Sequence, residues 1–196
     1  MTVISVIVGS TREGRFSEMP ARWIFQHLKK RDGVDARLLD LRDFAMPFFD
    51  QRVTPATPGR ATFEYEAVRK WTAAIALSDG FVFVTPEYNY GPSAVLKNAI
   101  DWVYPEWHRK PICFVSYGSM GGARGVQQLR QSVVELQMAP IRSSVYIPVP
   151  TLMAHYQGGD VDAGLNDLAL PAEAMIDDLL WWTTTLKAGR ALKGNK

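Results

Sequence analysis

The sequence predicts an α/β fold: a doubly wound, five-stranded parallel sheet with helices on both faces. Short apolar runs such as Gly80–Val84 and Pro111–Tyr117 are typical of parallel strands buried on both sides. Apolar residues at helical spacing occupy the stretches between these runs. Turns rich in glycine and hydroxyl residues follow several of them. Because strands and helices alternate along the chain, we expect the strands to lie parallel in one sheet.

Composition indicates a globular protein of one domain, residues 1–196. Apolar residues make up 47% and charged residues 21%, which suits a single buried core. The net charge of +2 gives no indication of nucleic-acid binding. The single cysteine, Cys113, excludes an intrachain disulfide. No apolar run approaches the roughly 20 residues needed to cross a bilayer, and the N-terminus lacks a basic leader. We therefore expect a cytoplasmic protein with no membrane partner.

The first part of the chain predicts two strands, a helix and an irregular segment. Thr2–Val8 is the first strand, and a helix follows to about Lys30, with Ser17 placed to cap it. Val34–Leu41 alternates well enough to be the second strand. Phe44–Arg60 contains three prolines and three phenylalanines without a regular period. It is too apolar for a solvated linker, so we expect it to pack against the domain.

The rest of the chain continues the alternation of strands and helices. The remaining strands are Gly80–Val84, Pro111–Tyr117 and Ile141–Val149. The remaining helices are Ala61–Leu77, Gly91–Val103, Val126–Ala139 and Pro171–Lys187. Between the last strand and the last helix, Thr151–Asp167 is predicted to be a polar, glycine-containing excursion.

Three loops at the carboxyl ends of predicted strands carry the residues best suited to bind a ligand, and such loops meet at one edge of a doubly wound sheet. The first loop places hydroxyl and guanidinium groups directly before a helix: Ser10, Thr11, Arg12, Arg15 and Ser17. Oriented N–H groups and arginine forks suit a phosphate. The loop lacks the lysine, glycine spacing and cysteine of Walker, dinucleotide and phosphatase loops. The alternative is a solvated turn with two surface arginines.

The other two loops suit a planar ring. Pro86–Tyr90 offers flat apolar faces and the Asn89 amide, and Gly118–Gly122 allows close approach to its backbone N–H groups. A phosphate site beside a ring site describes a mononucleotide, and FMN fits better than ATP because no magnesium-binding loop is evident. The alternative is that the tyrosines of the second loop only cover the sheet edge. No metal-ligand spacing or catalytic triad is evident. His155 is interpreted as a surface histidine, with a place at a substrate mouth as the alternative.

The same loops belong to longer motifs that resemble a known family. The motifs are Gly9–Ser17, Pro86–Gly91 with Leu96–Trp102, and Ser116–Gly122. Together they resemble the NADPH-dependent FMN reductase family, which includes quinone, chromate and azo-dye reductases. The resemblance covers roughly residues 2–149. It implies a flavodoxin-like fold with strand order 2-1-3-4-5, and FMN as the cofactor.

The resemblance also implies roles for individual residues. The FMN phosphate would be held by Ser10, Arg12, Phe16 and Ser17, and Arg15 belongs to the same cofactor-binding set. The isoalloxazine ring would contact Pro86, Glu87, Tyr88 and Asn89, and its pyrimidine side would meet Gly118, Gly121 and Gly122. Tyr117 belongs to the same cofactor-binding set. Family members are usually homodimers or homotetramers with each flavin near a subunit interface. The candidates for such contacts are Phe44, Phe48, Phe49, Trp102, Tyr104 and Trp107.

We therefore interpret the chain as an FMN-dependent NAD(P)H oxidoreductase, with NADPH and NADH both open as co-substrate. The nicotinamide would pass a hydride to FMN, and a quinone, azo compound, metal oxyanion or free flavin would then take the electrons in a ping-pong cycle. One alternative is a flavodoxin-like electron-transfer protein without turnover of its own. Such carriers tend to be strongly acidic, whereas this chain carries +2. The other is a binding module that has kept the fold but not the flavin.

Overall fold

A computed structural model gives the fold and describes residues 1–58 and 64–194. Within these residues, five strands form one parallel sheet in the order β2-β1-β3-β4-β5. They are β1 (Thr2–Val8), β2 (Val34–Asp40), β3 (Gly80–Pro86), β4 (Pro111–Tyr117) and β5 (Ala139–Ile147). Because β1 pairs with β2 on one side and β3 on the other, the chain reverses its direction across the sheet at β1. The predicted sheet and its strand order are confirmed.

Seven α-helices lie in the part of the chain that the structure describes. They are α1 (Glu18–Lys29), α2 (Glu66–Leu77), α3 (Ala94–Asp101), α4 (Ala123–Glu135), α5 (Val149–Gln157), α6 (Val161–Asn166) and α7 (Ala169–Gly194). Two short 3₁₀ helices, Leu41–Asp43 and Pro105–Trp107, follow β2 and α3. None of the described helices combines the length and the apolar character that crossing a membrane requires.

Alternate strand residues divide between two apolar cores, one on each face of the sheet. In one core, Val82 and Val84 pack with buried residues of α1, α6 and α7. In the other, Phe81 and Phe83 pack with buried residues of α2, α3 and α4. Each side chain of this kind that is fully buried contributes about 1.5–3 kcal/mol of transfer free energy. Helices therefore cover both faces, as predicted.

The stretch predicted as a polar excursion, Thr151–Asp167, is helical, because it contains most of α5 and all of α6. The first helix ends at Gly158, which adopts the left-handed conformation with φ +70°. The second begins after Asp160, whose carboxylate accepts the Ala163 N–H at 2.9 Å. Val161 and Leu165, four residues apart, bury into the core. Two apolar residues among many polar ones were too weak a periodic signal to indicate a helix.

Several predicted helix boundaries also change. The predicted helix Ala61–Leu77 begins at Glu66, and its residues 61–63, like 59 and 60 of the preceding segment, lie outside the described residues. The fourth helix ends at Glu135, because Ala139 and Pro140 already belong to β5. Proline is tolerated there because β5 is an edge strand. The closing helix begins earlier than predicted and extends beyond Lys187.

Ser17 occupies the N-cap position of α1, but its side chain accepts no capping hydrogen bond, so that prediction is wrong. Its backbone is already helical, with φ −55° and ψ −22°, whereas a capping serine normally has extended backbone angles. Its hydroxyl is buried and has no hydrogen-bond partner. The side chain is therefore left for another role.

Two of the six aromatic residues expected at subunit contacts are internal. Trp102 and Trp107 are fully buried, so their side chains lie in the core of the domain. The Trp102 indole donates to the Pro47 carbonyl at 2.8 Å, and the Phe49 N–H donates to the Asn98 side chain at 2.9 Å. The described part of the irregular segment thus packs on α3, as expected. Phe48 differs from the others because 76% of its surface is exposed.

Candidate functional site

The loops after β1, β3 and β4 begin side by side at one edge of the sheet. The Gly9 N–H donates to the Val84 carbonyl at 2.8 Å, and the Glu87 N–H donates to the Tyr117 carbonyl at 2.9 Å. A Cβ atom on Gly9 would lie 2.8 Å from that Val84 oxygen, so only glycine fits. This edge lies where the chain reverses direction across the sheet, which is where open α/β sheets bind ligands.

The first loop (residues 9–17) gathers hydroxyl groups and one exposed cation. The Ser10 hydroxyl is buried and lies 3.3 Å from the Tyr88 hydroxyl. The Arg12 guanidinium is exposed and lies 5.8 Å from the centre of the Tyr88 ring. Burial raises the pKa of Tyr117, and the neighbouring Ser17 hydroxyl opposes this rise only in part. A buried hydroxyl without a partner costs about 1–3 kcal/mol, so the Ser17 hydroxyl is a candidate donor to a ligand.

Arg15 has a different environment, since only 1% of its side chain is exposed. Its guanidinium bonds to Asp40 and Glu18 and to the Ser10 carbonyl. Burial alone would lower the pKa of Arg15, but the hydrogen bonds and charges of the two carboxylates outweigh it and raise the pKa. In this conformation its side chain cannot touch a ligand. It fastens the first loop to the end of β2, where Asp40 is a residue that the sequence did not indicate.

The second loop is a tight turn, Tyr88–Gly91. The N–H of each end residue donates to the carbonyl of the other, at 2.8 and 2.9 Å. Asn89 and Tyr90 both have positive φ angles, +48° and +71°, which defines a type I′ turn. Asparagine tolerates this conformation, but tyrosine does so at a cost of about 1–3 kcal/mol, and such strain clusters at functional sites. The helix α3 was predicted to begin at Gly91, but Gly91 belongs to this turn. The helix begins at Ala94, and Ser93 caps it.

Glu87 points its carboxylate at the N-terminus of α4. The carboxylate accepts the N–H groups of Arg124 and Gly125 at 3.0 and 3.3 Å, and it forms an ion pair with the Arg124 guanidinium. Burial would raise the pKa of Glu87, but these hydrogen bonds and the arginine charge lower it. The same guanidinium lies 3.9 Å from the centre of the Tyr90 ring. The second loop is therefore tied to α4, through an arginine that sequence reasoning had not placed there.

The third loop is a glycine turn between β4 and α4. The Gly121 N–H donates to the Gly118 carbonyl at 3.0 Å, and the Ser116 hydroxyl donates to the Gly121 carbonyl at 2.8 Å. Gly122 has φ +82°, and a Cβ atom there would lie 2.7 Å from the Tyr117 nitrogen. Glycine is thus required at Gly122 for both conformation and space. The turn therefore presents mainly backbone atoms, with few side chains, next to the second loop.

All of the predicted site residues lie on these three loops or at the strand ends that carry them. Their side chains differ in access, since Phe16 is fully buried and packs edge-on against Tyr117, with ring centres 4.9 Å apart. Pro86 is buried too, whereas Asn89 is exposed. Among the described residues, no cluster of three or more His, Cys, Asp or Glu side chains could hold a metal ion.

Fold and site together define an α/β protein with a doubly wound parallel sheet, in which the loops after β1, β3 and β4 form a candidate ligand site at one edge. The chain belongs to the NADPH-dependent FMN reductase family, whose model matches residues 2–150. It is 36% identical over 180 residues to an NAD(P)H-dependent FMN reductase of Nectria sp, covering 89% of this chain and 86% of that protein. It is 28% identical over 198 residues to a quinone reductase of Pseudomonas putida, covering 94% of this chain and 96% of that one.

Solved structures agree on the fold. The flavoenzyme NAD(P)H:(acceptor) oxidoreductase FerB from Paracoccus denitrificans superimposes with a TM-score of 0.69 at 22% identity, covering 94% of this chain and 98% of that one. The family assignment confirms three predictions: the chain is an oxidoreductase, its cofactor is FMN and its co-substrate is NAD(P)H. An electron carrier without turnover of its own does not match these relatives.

Proposed function

We propose that the enzyme uses NAD(P)H to reduce a quinone, an azo compound, a metal oxyanion or free flavin through FMN bound at the three-loop edge. The observation that carries this proposal is the buried, unpartnered Ser17 hydroxyl beside the Ser10 hydroxyl and the exposed Arg12. These groups are donors, and a phosphate supplies the acceptors that they lack. The quinone reductase relative supports a quinone as one acceptor class.

On this proposal, Ser10, Arg12 and Ser17 bind the phosphate directly, and the N-terminus of α1 adds backbone N–H groups and partial positive charge. Arg15 is a positioning residue, because its buried guanidinium holds the loop and does not reach the ligand. Phe16 contributes through its backbone position, since its ring is buried against Tyr117. The proposed phosphate site is thus two buried hydroxyl groups and one exposed guanidinium on a loop that Arg15 holds in place.

The isoalloxazine ring of FMN would lie between the turn of the second loop and the glycine turn of the third loop. Pro86, Tyr88, Asn89 and the backbone of Glu87 would bound one side, and Tyr117, Gly118, Gly121 and Gly122 the other. FMN held by these residues would supply two-electron chemistry between NAD(P)H and the acceptor. N–H groups fixed beside the ring stabilise the negative charge that develops on it, at no cost in reorganisation.

The further expectations stay proposals of the same kind. We propose one domain over residues 1–196, a cytoplasmic enzyme, and a homodimer or homotetramer. Phe48 is the exposed member of the aromatic set and the best candidate for a subunit contact.

Binding measurements on apoprotein test the proposed function. FMN should bind more tightly than riboflavin, which lacks only the phosphate, and the purified protein should show flavin absorbance bands. Anaerobic NADPH or NADH should bleach those bands, and an added quinone should restore them. Equal affinity for FMN and riboflavin would remove the phosphate assignment. Absence of any flavin binding would favour the module that has kept the fold alone.

A further inference from the structure

The first loop is held in place by side chains that donate hydrogen bonds to its backbone carbonyl groups. Arg15 binds the Ser10 carbonyl, Arg42 binds the Thr11 and Arg12 carbonyls, and His155 Nε2 lies 3.1 Å from the Gly14 carbonyl. A trans peptide directs each carbonyl opposite to the N–H of the next residue. The N–H groups that follow these four carbonyls therefore point away from the bracing side chains. One of them, the Arg12 N–H, is directed at the Ser10 hydroxyl at 3.4 Å.

Successive backbone N–H groups in a loop can form an anion-binding concavity. Two arginines fix its first part, residues 10–12. At the other end, among the described residues, His155 is the side chain that holds the Gly14 carbonyl. Gly14 has φ +60°, and a Cβ atom there would meet nothing within 4 Å, so packing at Gly14 itself does not fix its peptide. The contact from His155 therefore adds a support at Gly14, next to the buried side chain of Arg15.

His155 comes from α5, which lies almost wholly outside the residues that the family model matches. Because a carbonyl only accepts hydrogen bonds, Nε2 must carry the hydrogen in this contact. The imidazole also packs edge-on against Phe16, with ring centres 5.5 Å apart, and against Tyr156 at 4.9 Å. Phe16 is the next-to-last residue of the first loop, residues 9–17. The imidazole thus contacts two aromatic rings while it donates to the loop.

We propose that His155 is a positioning residue of the phosphate site: it holds the Gly14 carbonyl so that the next N–H, that of Arg15, faces the bound phosphate. This inference rests on the proposed FMN site. A preorganised loop binds more tightly because less ordering remains to be done when the ligand arrives. The effect is specific to ligands that carry a phosphate, since His155 supports the phosphate loop and not the loops assigned to the ring.

Three substitutions test the proposal. His155→Phe keeps a ring against Phe16 but removes the donor. His155→Gln keeps an N–H donor at similar reach. Gln157→Ala, an exposed residue of the same helix, is the matched control. Dissociation constants of each apoprotein for FMN and for riboflavin are measured by quenching of flavin fluorescence.

The phenylalanine variant should bind FMN roughly 3- to 10-fold more weakly, the range of one net hydrogen bond. Riboflavin binding should not change. The glutamine variant should recover most of the FMN affinity, and the control should match wild type.

Unchanged FMN affinity in the phenylalanine variant, equal losses for FMN and riboflavin, or equal FMN losses in the phenylalanine and glutamine variants would each overturn the role of His155. If wild type itself does not prefer FMN, the proposed function fails, which is a different result. Should the phenylalanine variant not fold, His155→Asn replaces it, because its shorter amide cannot reach Gly14, and the same outcomes decide.

Discussion

Arg12 and Arg15 lie three residues apart in one loop, yet their surroundings give them different tasks. The Arg12 guanidinium is exposed, and the Tyr88 hydroxyl and then the Tyr156 hydroxyl raise its pKa. The Arg15 guanidinium is buried against Asp40. Only Arg12 is therefore free to exchange water for a phosphate.

Arg12→Ala should weaken FMN binding by about 1.5–3 kcal/mol, the scale of a hydrogen bond to a charged group, which is roughly 10- to 150-fold in affinity. Riboflavin binding and the free energy of unfolding should change little, because the side chain is exposed and supports no buried group. Titration of the apoprotein with both flavins provides the measurement. Arg22→Ala, on the exposed side of α1, is the matched control. An equal loss for both flavins would contradict a phosphate contact.

The sequence could place both arginines in a candidate phosphate loop, but it could not separate their roles. The difference depends on Asp40, which follows 25 residues later at the end of β2. Nothing in the local pattern of the first loop indicates which guanidinium finds a buried carboxylate. Glu87 shows the same limit, since its carboxylate partners the N-terminus of α4, 37 residues further on.

At the scale of elements, α7 is fastened to the opposite edge of the sheet through Asp79. The Asp79 carboxylate accepts from the Val3 N–H at 3.0 Å, from Lys187 at 2.6 Å and from Arg190 at 2.8 Å. Burial would raise the pKa of Asp79, but these hydrogen bonds and the two cations lower it below the ordinary value. One carboxylate thus joins β1, the start of β3 and the last helix.

Asp79→Asn should lower the free energy of unfolding at pH 7 by about 1–3 kcal/mol, since it leaves two cations and an N–H without their charged acceptor. The folded-state pKa lies below the unfolded one, so the contribution of Asp79 is fully present above the unfolded value. It is lost as the pH falls through the folded value. Urea unfolding should therefore show a gap between wild type and variant that shrinks below about pH 4. Asp32→Asn, an exposed control, should leave no such gap, and a gap independent of pH would contradict the ionic origin.

Strong apolar patterns made the five strands and most helices predictable, whereas α5 and α6 were missed. A parallel strand that is buried on both faces has a continuous apolar sequence, such as Gly80–Val84, and this run identifies it clearly. The two missed helices are short and mostly exposed, so their helical period rests on few residues. Because α5 was not predicted, the contact between His155 on this helix and the first loop could not be predicted either.

At the scale of the whole molecule, Phe48 is the most informative test of assembly. It lies beside a groove of about 270 Å³ that is lined largely by apolar residues and includes Phe44, Met46 and Val95. Phe48→Glu should place a charge in any contact formed there and shift the protein towards monomer in light scattering. If the flavin lies beside that contact, turnover should fall with assembly. Arg52→Glu, also exposed in the same segment, controls for added negative charge. A variant that is monomeric and fully active would separate assembly from the site.

The kinetic order of the substrates follows from the proposed placement of the ring. If FMN lies between the second and third loops at the sheet edge, the protein covers one face of the ring. The other face is then left for both substrates. The nicotinamide must then leave before the acceptor binds. Initial rates at several acceptor concentrations should give parallel lines in double-reciprocal form, and the oxidised nicotinamide should inhibit competitively against the acceptor. Intersecting lines would show that both substrates bind together, and a single shared face would then be excluded.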